Sequence, residues 1–260
     1  MSLFRALGFL IFAGASSRCE EVDWVQKFPV ASPSGRFGHS MVYDAARGEV
    51  VLYGGYAEPV LRGETWVWNG TNWVQKLSNN LPDGTGYYAV SRYGHAMAYD
   101  DARSQVVLFG GFREGFGLGR VNDTWVWDGT NWTQRFPSKK PSARDEHAMV
   151  YDPAGRQVVL FGGFAGTWAW GEGWVPLADT WVWDGINWTE KSPTNKPPAR
   201  ERHAMAYDAA RGQVVLFGGL GARGPLNDTW TWDGTTWTQK SPANKPPARE
   251  RHAMAYDAAR

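Results

Sequence analysis

The chain has 260 residues, a formal net charge of +1 and 20% charged residues, a size that allows one large all-β domain or two average domains. The near-neutral charge gives no electrostatic reason to expect nucleic acid or an anionic membrane surface as a partner. A single cysteine excludes an internal disulfide and a multi-cysteine metal site. The 16 Trp and 31 Gly exceed what ordinary globular chains carry and indicate a repeated Trp-rich unit.

Residues 1–17 are predicted to be an export signal. A short positive region precedes an apolar run over residues 6–13, and small residues at 15–17 favour cleavage. The run is shorter than the ~20 residues of a transmembrane helix, and no other stretch is apolar enough to span a membrane. Because Arg18 stands where a lipidation signal has a small residue, no lipid anchor is expected at Cys19. We therefore expect a secreted or extracytoplasmic protein; the alternatives are a short buried strand or a misassigned start codon.

All five histidines stand in one repeated motif, separated by 56, 52, 56 and 49 residues. They are His39, His95, His147, His203 and His252. Each begins a segment like HAMAYD, which alternates small and large residues and predicts a first strand. A tight turn, such as Ala46-Arg47-Gly48, leads to QVVLFGG, whose continuous apolar run is typical of a strand buried on both faces.

A variable loop then leads to TWVW and NWTQ segments, which predict a third and a fourth strand. Asn-Gly or Asp-Gly between them predicts a two-residue type I′ hairpin. With Asp128-Gly129 as the turn residues, Trp125 is expected to face Trp132. Alternation then places Trp125, Trp127 and Trp132 on one face, where they would pack between neighbouring sheets.

Four antiparallel strands every ~50 residues, with a double glycine and later tryptophans, resemble the Kelch repeat. The matching glycines are Gly54-Gly55, Gly110-Gly111, Gly162-Gly163 and Gly218-Gly219. The matching tryptophans are Trp66/Trp73, Trp125/Trp132, Trp181/Trp188 and Trp230/Trp237. A Trp-x-Trp pair stands where the family more often has a Tyr. The resemblance implies a fold that hosts many functions, so it indicates the fold more than the activity.

We therefore predict an all-β Kelch-type β-propeller over residues 22–260, built of four-stranded antiparallel blades. Four complete blades are expected, with an orphan strand at each end that leaves the ring incomplete or open. The blades are placed at about 37–76, 93–135, 145–191 and 201–240, and the partial-blade strands at 22–28 and 250–260.

Residues that recur once per repeat are expected to be structural. This applies to the histidines, which lack a second metal ligand beside them, and to the aspartates that end each first strand before a turn. The Arg-rich segment before each histidine has two interpretations, an anion site or a structural charge pair. No catalytic residue, metal site or cofactor is predicted. Galactose-oxidase-like copper chemistry needs a Cys–Tyr cofactor, and the lone cysteine lies at or beside the predicted signal.

The repeats differ most in their loops, and rigid scaffolds usually bind through such loops. By topology these loops share one face, which we name the variable-loop face; they are 56–64, 112–123, 164–179, 220–228 and, between the first two blades, 77–93. The candidate ligand-binding residues are Trp168, Trp170, Trp174, Tyr87, Tyr88, Arg62, Arg113, Arg120 and Arg223. Exposed aromatic rings bind sugars or apolar groups; alternatively the three tryptophans form a local hairpin.

Three functions follow as hypotheses. The first is an exported, non-catalytic module that recognises a protein or a glycan through the variable-loop face. The second is a Kelch-propeller enzyme acting on a carbohydrate, similar to a mutarotase. The third is a passive structural repeat segment of a larger surface protein.

Overall fold

The computed structural model describes residues 25–77, 92–113, 119–166 and 176–258. Four four-stranded antiparallel sheets, one per repeat, confirm the predicted architecture, and we name them blades 1 to 4. Blade 1 comprises Ser40–Asp44, Glu49–Tyr53, Thr65–Trp68 and Trp73–Lys76. Blade 2 comprises Ala96–Asp100, Gln105–Phe109, Thr124–Trp127 and Trp132–Arg135. Blade 3 comprises Ala148–Asp152, Gln157–Phe161, Thr180–Trp183 and Trp188–Lys191. Blade 4 comprises Ala204–Asp208, Gln213–Phe217, Thr229–Trp232 and Trp237–Lys240.

The strands of each blade lie side by side in chain order, and the second strand is the most buried. In blade 2, residues 106–109 of the second strand are completely buried. A strand lies on each side of this run, and blades 1 and 3 pack on its two faces, so both rows of its side chains must be apolar. The predicted two-sided burial of the QVVLF segment is confirmed.

The first strands of neighbouring blades contact one another, so they surround the axis of the propeller and the fourth strands form its rim. Because strand direction alternates within a blade, the loop after each second strand and the loop after each fourth strand share one face. The variable-loop face therefore lies at the end of the axis where the first strands begin.

The hairpin between the third and fourth strands differs from the prediction. Trp127 pairs with Trp132, and Trp125 pairs with Gln134, so the loop has four residues rather than two. The Asp128 carboxylate accepts hydrogen bonds from the backbone N–H groups of Thr130 (2.8 Å) and Asn131 (2.7 Å). This side-chain cap closes a wider turn than type I′, which the Asp-Gly pair alone did not reveal.

The tryptophans nevertheless share one face, as predicted, and pack it against the preceding blade. Trp125, Trp127 and Trp132 form a cluster with Val51 and Tyr53 of blade 1. The Trp132 indole N–H donates to Thr65 Oγ1 of blade 1 at 2.9 Å. Blades 3 and 4 repeat this bond through Trp188 to Thr124 and Trp237 to Thr180.

The double glycine lies at a close backbone contact between two blades. Gly110 and Gly111 have φ of +65° and +99°. A methyl group on Gly110 would lie 2.7 Å from the Arg144 carbonyl oxygen of blade 3. The Gly111 N–H donates to that same carbonyl at 2.8 Å. A side chain at either glycine would separate the blades, which is the physical reason for the motif.

Beyond the double glycine, each blade adds a small ladder between the residues before its histidine and those after its glycines. In blade 2, Arg92–Tyr93 pairs with Phe112–Arg113. In blade 4, Arg200–Glu201 pairs with Leu220–Gly221, which pairs in turn with Gly224–Pro225. Blades 1 and 3 make single bridges, Phe37 to Tyr56 and Asp145 to Phe164. Tyr56–Ala57 also pairs with Val60–Leu61, and Asp101–Arg103 forms a 3₁₀ turn.

Within the two predicted orphan strands, the described residues 25–28 and 250–258 are not paired as β-strands. An innermost strand pairs with the second strand of its own blade, and the described residues contain no such partner for 250–258. The predicted signal over 1–17 and Cys19 lie outside the described residues. Within those residues, no helix has the length and apolar character needed to cross a bilayer.

Candidate functional site

A buried arginine anchors the entry to each first strand. In blade 3, Arg144 donates to both carboxylate oxygens of Asp179 (2.7 and 2.6 Å) and to the Gly162 carbonyl (3.0 Å). The Trp181 indole N–H also donates to Asp179, at 2.8 Å. Burial raises the pKa of Asp179, but the bonds and charge of Arg144 outweigh it and hold that pKa below its usual value. The equivalent pairs are Arg36–Glu64, Arg92–Asp123 and Arg200–Asp228.

These paired arginines are structural. Arg92, Arg144 and Arg200 are completely buried, and each is directed at a carboxylate of its own blade. Of the two sequence interpretations of the Arg-rich segment, the structural charge pair is correct for them.

The repeated histidines lie in the joints between blades. His147 is buried, and its ring lies edge-on to Phe109 of blade 2, with 5.6 Å between ring centroids. Burial and the neighbouring Arg144 charge hold its pKa well below the usual value. Burial and the neighbouring Arg200 charge lower the pKa of His203 to about 3. These histidines pack in the joints between blades, which is the structural role predicted for them. Among the described residues, no cluster of metal-ligating side chains is found.

The aspartates that end the first strands hold turns, as predicted. Asp44 accepts from Arg47 Nη1 at 2.7 Å, and Asp100 accepts from Arg103 Nη1 at 2.9 Å. Both aspartates are completely buried. They lie on the face opposite the variable loops, where the turns between first and second strands are short and uniform.

A series of backbone hydrogen bonds runs from blade to blade at the start of the first strands. It connects the residues directly before the histidines. The bonds are Gly94 N–H to Gly38 O (2.8 Å), Glu146 to Gly94 (2.7 Å), Arg202 to Glu146 (2.8 Å) and Arg251 to Arg202 (2.9 Å). All five residues are left-handed, with φ of +64°, +66°, +55°, +56° and +56° in chain order. Glycine adopts this conformation freely, whereas Glu and Arg are held in it at a cost on the order of 1–3 kcal/mol each.

Above this series of bonds lies a cavity of about 510 Å³, which we name the axial cavity. Every blade contributes to it through the pair of residues before its histidine and the residues after its double glycine. The described residues that line it are Phe37, Tyr56, Tyr93, Arg120, Asp145, Glu146, Phe164, Glu201, Arg202, Leu220 and Arg251. The axial cavity therefore opens on the variable-loop face, where binding is predicted.

The two halves of the cavity differ in chemistry although they occupy the same register of the repeat. Blades 1 and 2 provide aromatic-glycine pairs, Phe37-Gly38 and Tyr93-Gly94. The later repeats provide charged pairs, Asp145-Glu146, Glu201-Arg202 and Glu250-Arg251. Phe37 packs on Tyr56 with 5.3 Å between ring centroids, and Phe37 is 60% exposed.

The charged half is organised around Arg202. Its Nη1 lies 3.2 Å from Glu250 and 3.6 Å from Glu201, and its Nε lies 3.9 Å from Glu146 Oε1. Burial lowers the pKa of Arg202, but these three carboxylates outweigh it and raise that pKa. Burial raises the pKa of Glu146, and Arg202 offsets this only in part. One guanidinium is thus shared by three carboxylates, and Glu146 has the longest of the three contacts.

Of the predicted ligand-binding residues that the structure describes, only Arg120 lines the cavity, and it serves to join two blades. Arg120 Nε donates to Asp145 at 2.7 Å, and its guanidinium lies 4.0 Å from the centre of the Phe164 ring. Arg113 pairs with Asp123 (2.7 Å) and Arg62 lies 3.7 Å from Glu64, so neither faces the cavity. Arg223 is exposed in the turn after blade 4's double glycine. The predicted Trp168, Trp170, Trp174, Tyr87 and Tyr88 lie outside the described residues.

Sequence reasoning missed the principal lining residues, Phe37, Glu146 and Arg202. They belong to the segment before each histidine, for which the sequence indicated only an anion site or a structural charge pair. The available signal was the difference between repeats: the core positions are nearly identical, whereas the two residues before each histidine change from aromatic-glycine to acidic-charged. A position that varies within a nearly exact repeat is not fixed by the packing of the fold, so its side chain is available for ligand binding.

Comparison with known proteins supports the fold over half of the chain. A family model described as the KLHDC2/KLHL20/DRC7 Kelch-repeats domain matches residues 130–259. A curated relative, Mei4-dependent protein 6 of Schizosaccharomyces pombe, is 30% identical over 139 residues, which cover 49% of this chain and 19% of the relative. The aligned region is thus about a fifth of that protein. Kelch-repeat domains are in general non-catalytic modules that bind proteins. With its four double-glycine blades and the matching family model, the chain belongs to the Kelch-repeat family.

Proposed function

We propose that this chain is a non-catalytic protein-binding propeller whose partner docks on the variable-loop face, over the axial cavity. One observation supports this above the others: the cavity is lined by the positions at which nearly identical repeats differ. The packing positions repeat from blade to blade because the fold requires them. The lining positions do not, and they gather at one end of the axis.

The lining suits a protein partner. It offers aromatic surface, with Phe37 60% exposed, beside charged groups held in place by backbone hydrogen bonds. Apolar anchors surrounded by charged and polar groups are typical of protein interfaces. A glycan ligand is the alternative, and it depends on Trp168, Trp170 and Trp174, which lie outside the described residues.

A mutarotase-like enzyme is a less favoured function. It would need an acid and a base free to exchange protons with a sugar. The carboxylates of the cavity instead lie beside arginines: Asp145 is 2.7 Å from Arg120, and Glu146 and Glu201 are within 3.9 Å of Arg202. Paired groups of this kind organise a surface more readily than they catalyse.

We also propose that the protein is exported after removal of residues 1–17. Amino-terminal sequencing of the protein recovered from its native source tests this directly. A mature chain beginning near Arg18 supports export, and a chain that retains Met1 inside the cell contradicts it.

The proposed docking face is tested by comparing Phe37→Asp with Ile186→Asp. Both replace an exposed apolar side chain by aspartate, but Ile186, which is 74% exposed, lies in a hairpin turn on the opposite face. Proteins cross-linked to the wild-type chain in its native source are identified by mass spectrometry. We expect Phe37→Asp to lose the specific partners and Ile186→Asp to retain them. Equal retention by both variants would contradict docking at the axial cavity.

A further inference from the structure

The residue pairs that line the axial cavity change from aromatic to charged around the propeller axis. Among the residue pairs before the histidines, those of blades 1 and 2 are aromatic, and the charged pairs begin with Asp145-Glu146 of blade 3. A methyl group placed on Gly94 would lie 3.6 Å from Glu146 Cγ, so the glutamate side chain lies over blade 2's glycine. Glu146 therefore stands at the boundary between the aromatic and the charged residues.

The charges around this boundary do not cancel. Arg120 and Asp145 form one neutral pair at 2.7 Å. Arg202 lies within 3.9 Å of the carboxylates of Glu146, Glu201 and Glu250, and Arg251 is exposed at the edge of the cavity. Among these five described side chains, three carboxylates face two guanidinium groups in a partly desolvated cavity, where charge is felt strongly.

We propose that the axial cavity receives a lysine or arginine side chain of the protein partner, with Glu146 as its ion-pair acceptor and Tyr93 as the adjoining aromatic contact. This inference rests on the proposed function and defines the chemistry of its ligand. A cationic side chain has an apolar stem and a charged head, which matches an aromatic wall that ends at a carboxylate.

The contacts of Glu146 fit this role. Arg202 directs its Nη1 to Glu250 at 3.2 Å and reaches Glu146 only through a 3.9 Å contact. A partner cation would provide Glu146 with the close, charge-assisted hydrogen bond that Arg202 does not. Burial raises the pKa of Glu146, and the neighbouring Arg202 charge compensates for this burial only in part.

Peptides selected from a random phage-displayed heptapeptide library against the full chain provide the probe. We expect the selected peptides to carry Lys or Arg next to an apolar residue. The Kd of the best peptide is then compared with that of its Lys→norleucine or Arg→norleucine analogue. The charged peptide should bind the wild-type chain about tenfold more tightly.

Two variants with opposite expected effects identify the site. Glu146→Gln keeps the side-chain shape and should weaken the charged peptide about tenfold while leaving the norleucine analogue unchanged. Arg251→Gln removes a competing cation and should strengthen the charged peptide. Glu190→Gln, at an exposed position on the fourth strand of blade 3, is the matched control and should change nothing.

The outcomes separate this inference from the proposed function. If the selected peptides are acidic and bind Arg251→Gln more weakly than the wild-type chain, the cation site is overturned. If Phe37→Asp also weakens those peptides, docking at the cavity is still supported. Peptides whose binding is indifferent to Phe37→Asp would overturn both. Failure to select any binding peptide would also count against both.

Discussion

Trp188 of blade 3 donates its indole N–H to Thr124 Oγ1 of blade 2 at 2.9 Å, in a joint where both residues are almost completely buried. The same bond joins blade 1 to 2 and blade 3 to 4. Burial of a large ring against the preceding blade provides the packing energy, and the single polar bond fixes how the ring is placed. Each blade is thus positioned by its neighbour rather than by a core of its own.

Replacing Thr124 by Val tests this bond. Valine matches the shape of threonine but leaves the Trp188 N–H buried without an acceptor. We expect the free energy of unfolding to fall by about 1–3 kcal/mol, measured by urea denaturation. Thr130→Val, the same change in an exposed hairpin turn, should alter it by about 0.5 kcal/mol or less. Equal effects would show that the indole bond does not stabilise the joint.

Arg144→Lys tests the buried charge pair. Lysine keeps the positive charge but cannot bond both oxygens of Asp179 and the Gly162 carbonyl together. We expect a loss of about 3 kcal/mol in the free energy of unfolding, because buried polar groups are left unpaired. The matched change Arg135→Lys, at an exposed position, should be nearly neutral. An equally small effect at Arg144 would contradict the structural role given to this arginine.

The sequence predicts the fold well because the same strand patterns and glycine positions recur in four repeats. Local patterns predict these elements directly. Alternation in HAMAYD and the unbroken apolar run QVVLF each follow from strand geometry, and the double glycine follows from a close contact between blades. The hairpin was mispredicted because Asp128 caps two N–H groups with its side chain. That competition between side chain and backbone is not visible in an Asp-Gly pair.

The site was harder to predict, since it depends on which side chains meet across blades. Glu146 and Arg202 are 56 residues apart, and only the arrangement of first strands around the axis brings them together. Arg120 was predicted to be a ligand-binding residue of the variable-loop face, but it turns inward to Asp145 and the Phe164 ring. Loop residues can be assigned to a face from topology, whereas their partners across the axis cannot.

Stability should depend on pH through the buried histidines. His203 has its pKa lowered to about 3, and the pKa values of His95 and His147 also lie well below 6.5. The unfolded chain therefore binds protons that the folded chain does not, and stability falls as pH drops below ~6.5. Each fully buried histidine contributes a slope of about 1.4 kcal/mol per pH unit below its unfolded pKa.

Urea denaturation at pH 7.5, 6.5, 5.5 and 5.0 measures this slope above the range in which most carboxylates titrate. His203→Gln should lower stability at pH 7.5 but flatten the decline towards pH 5.0, because one titrating group is removed. A midpoint independent of pH over this range would contradict burial of neutral histidines.

The turn of blade 3 offers a gain of stability. Blades 1 and 4 have Arg-Gly at this position, where Arg47 pairs with the buried Asp44 and Arg211 pairs with Asp208. Blade 3 has the order reversed, Gly155-Arg156. Arg156 is consequently left-handed, with φ of +50°, where blade 1 has Gly48 at +66°.

The reversal also removes a link between blades. Arg47 reaches from blade 1 to the carbonyl oxygens of Ser104 and Asp128 in blade 2, and Arg103 reaches from blade 2 to the Arg156 carbonyl in blade 3. At the equivalent position blade 3 has Gly155, which has no side chain to reach blade 4. Asp152 is held instead by the Gln157 amide at 3.2 Å.

The double change Gly155→Arg/Arg156→Gly restores the order found in blade 1. A β-carbon at position 155 would overlap the Gln157 amide, so the Gln157 side chain must first move away from Asp152. With Gln157 displaced, the exchange should raise the free energy of unfolding by about 1–2 kcal/mol, because it relieves the left-handed arginine and adds an arginine beside Asp152. The reverse exchange in blade 1, Arg47→Gly/Gly48→Arg, should lower it by at least as much, since both interblade bonds of Arg47 are lost. Thermal and urea denaturation of the two double variants measure both changes. A blade 3 exchange that destabilises the chain would mean that Gln157, displaced from Asp152, contributes more than the arginine that replaces it.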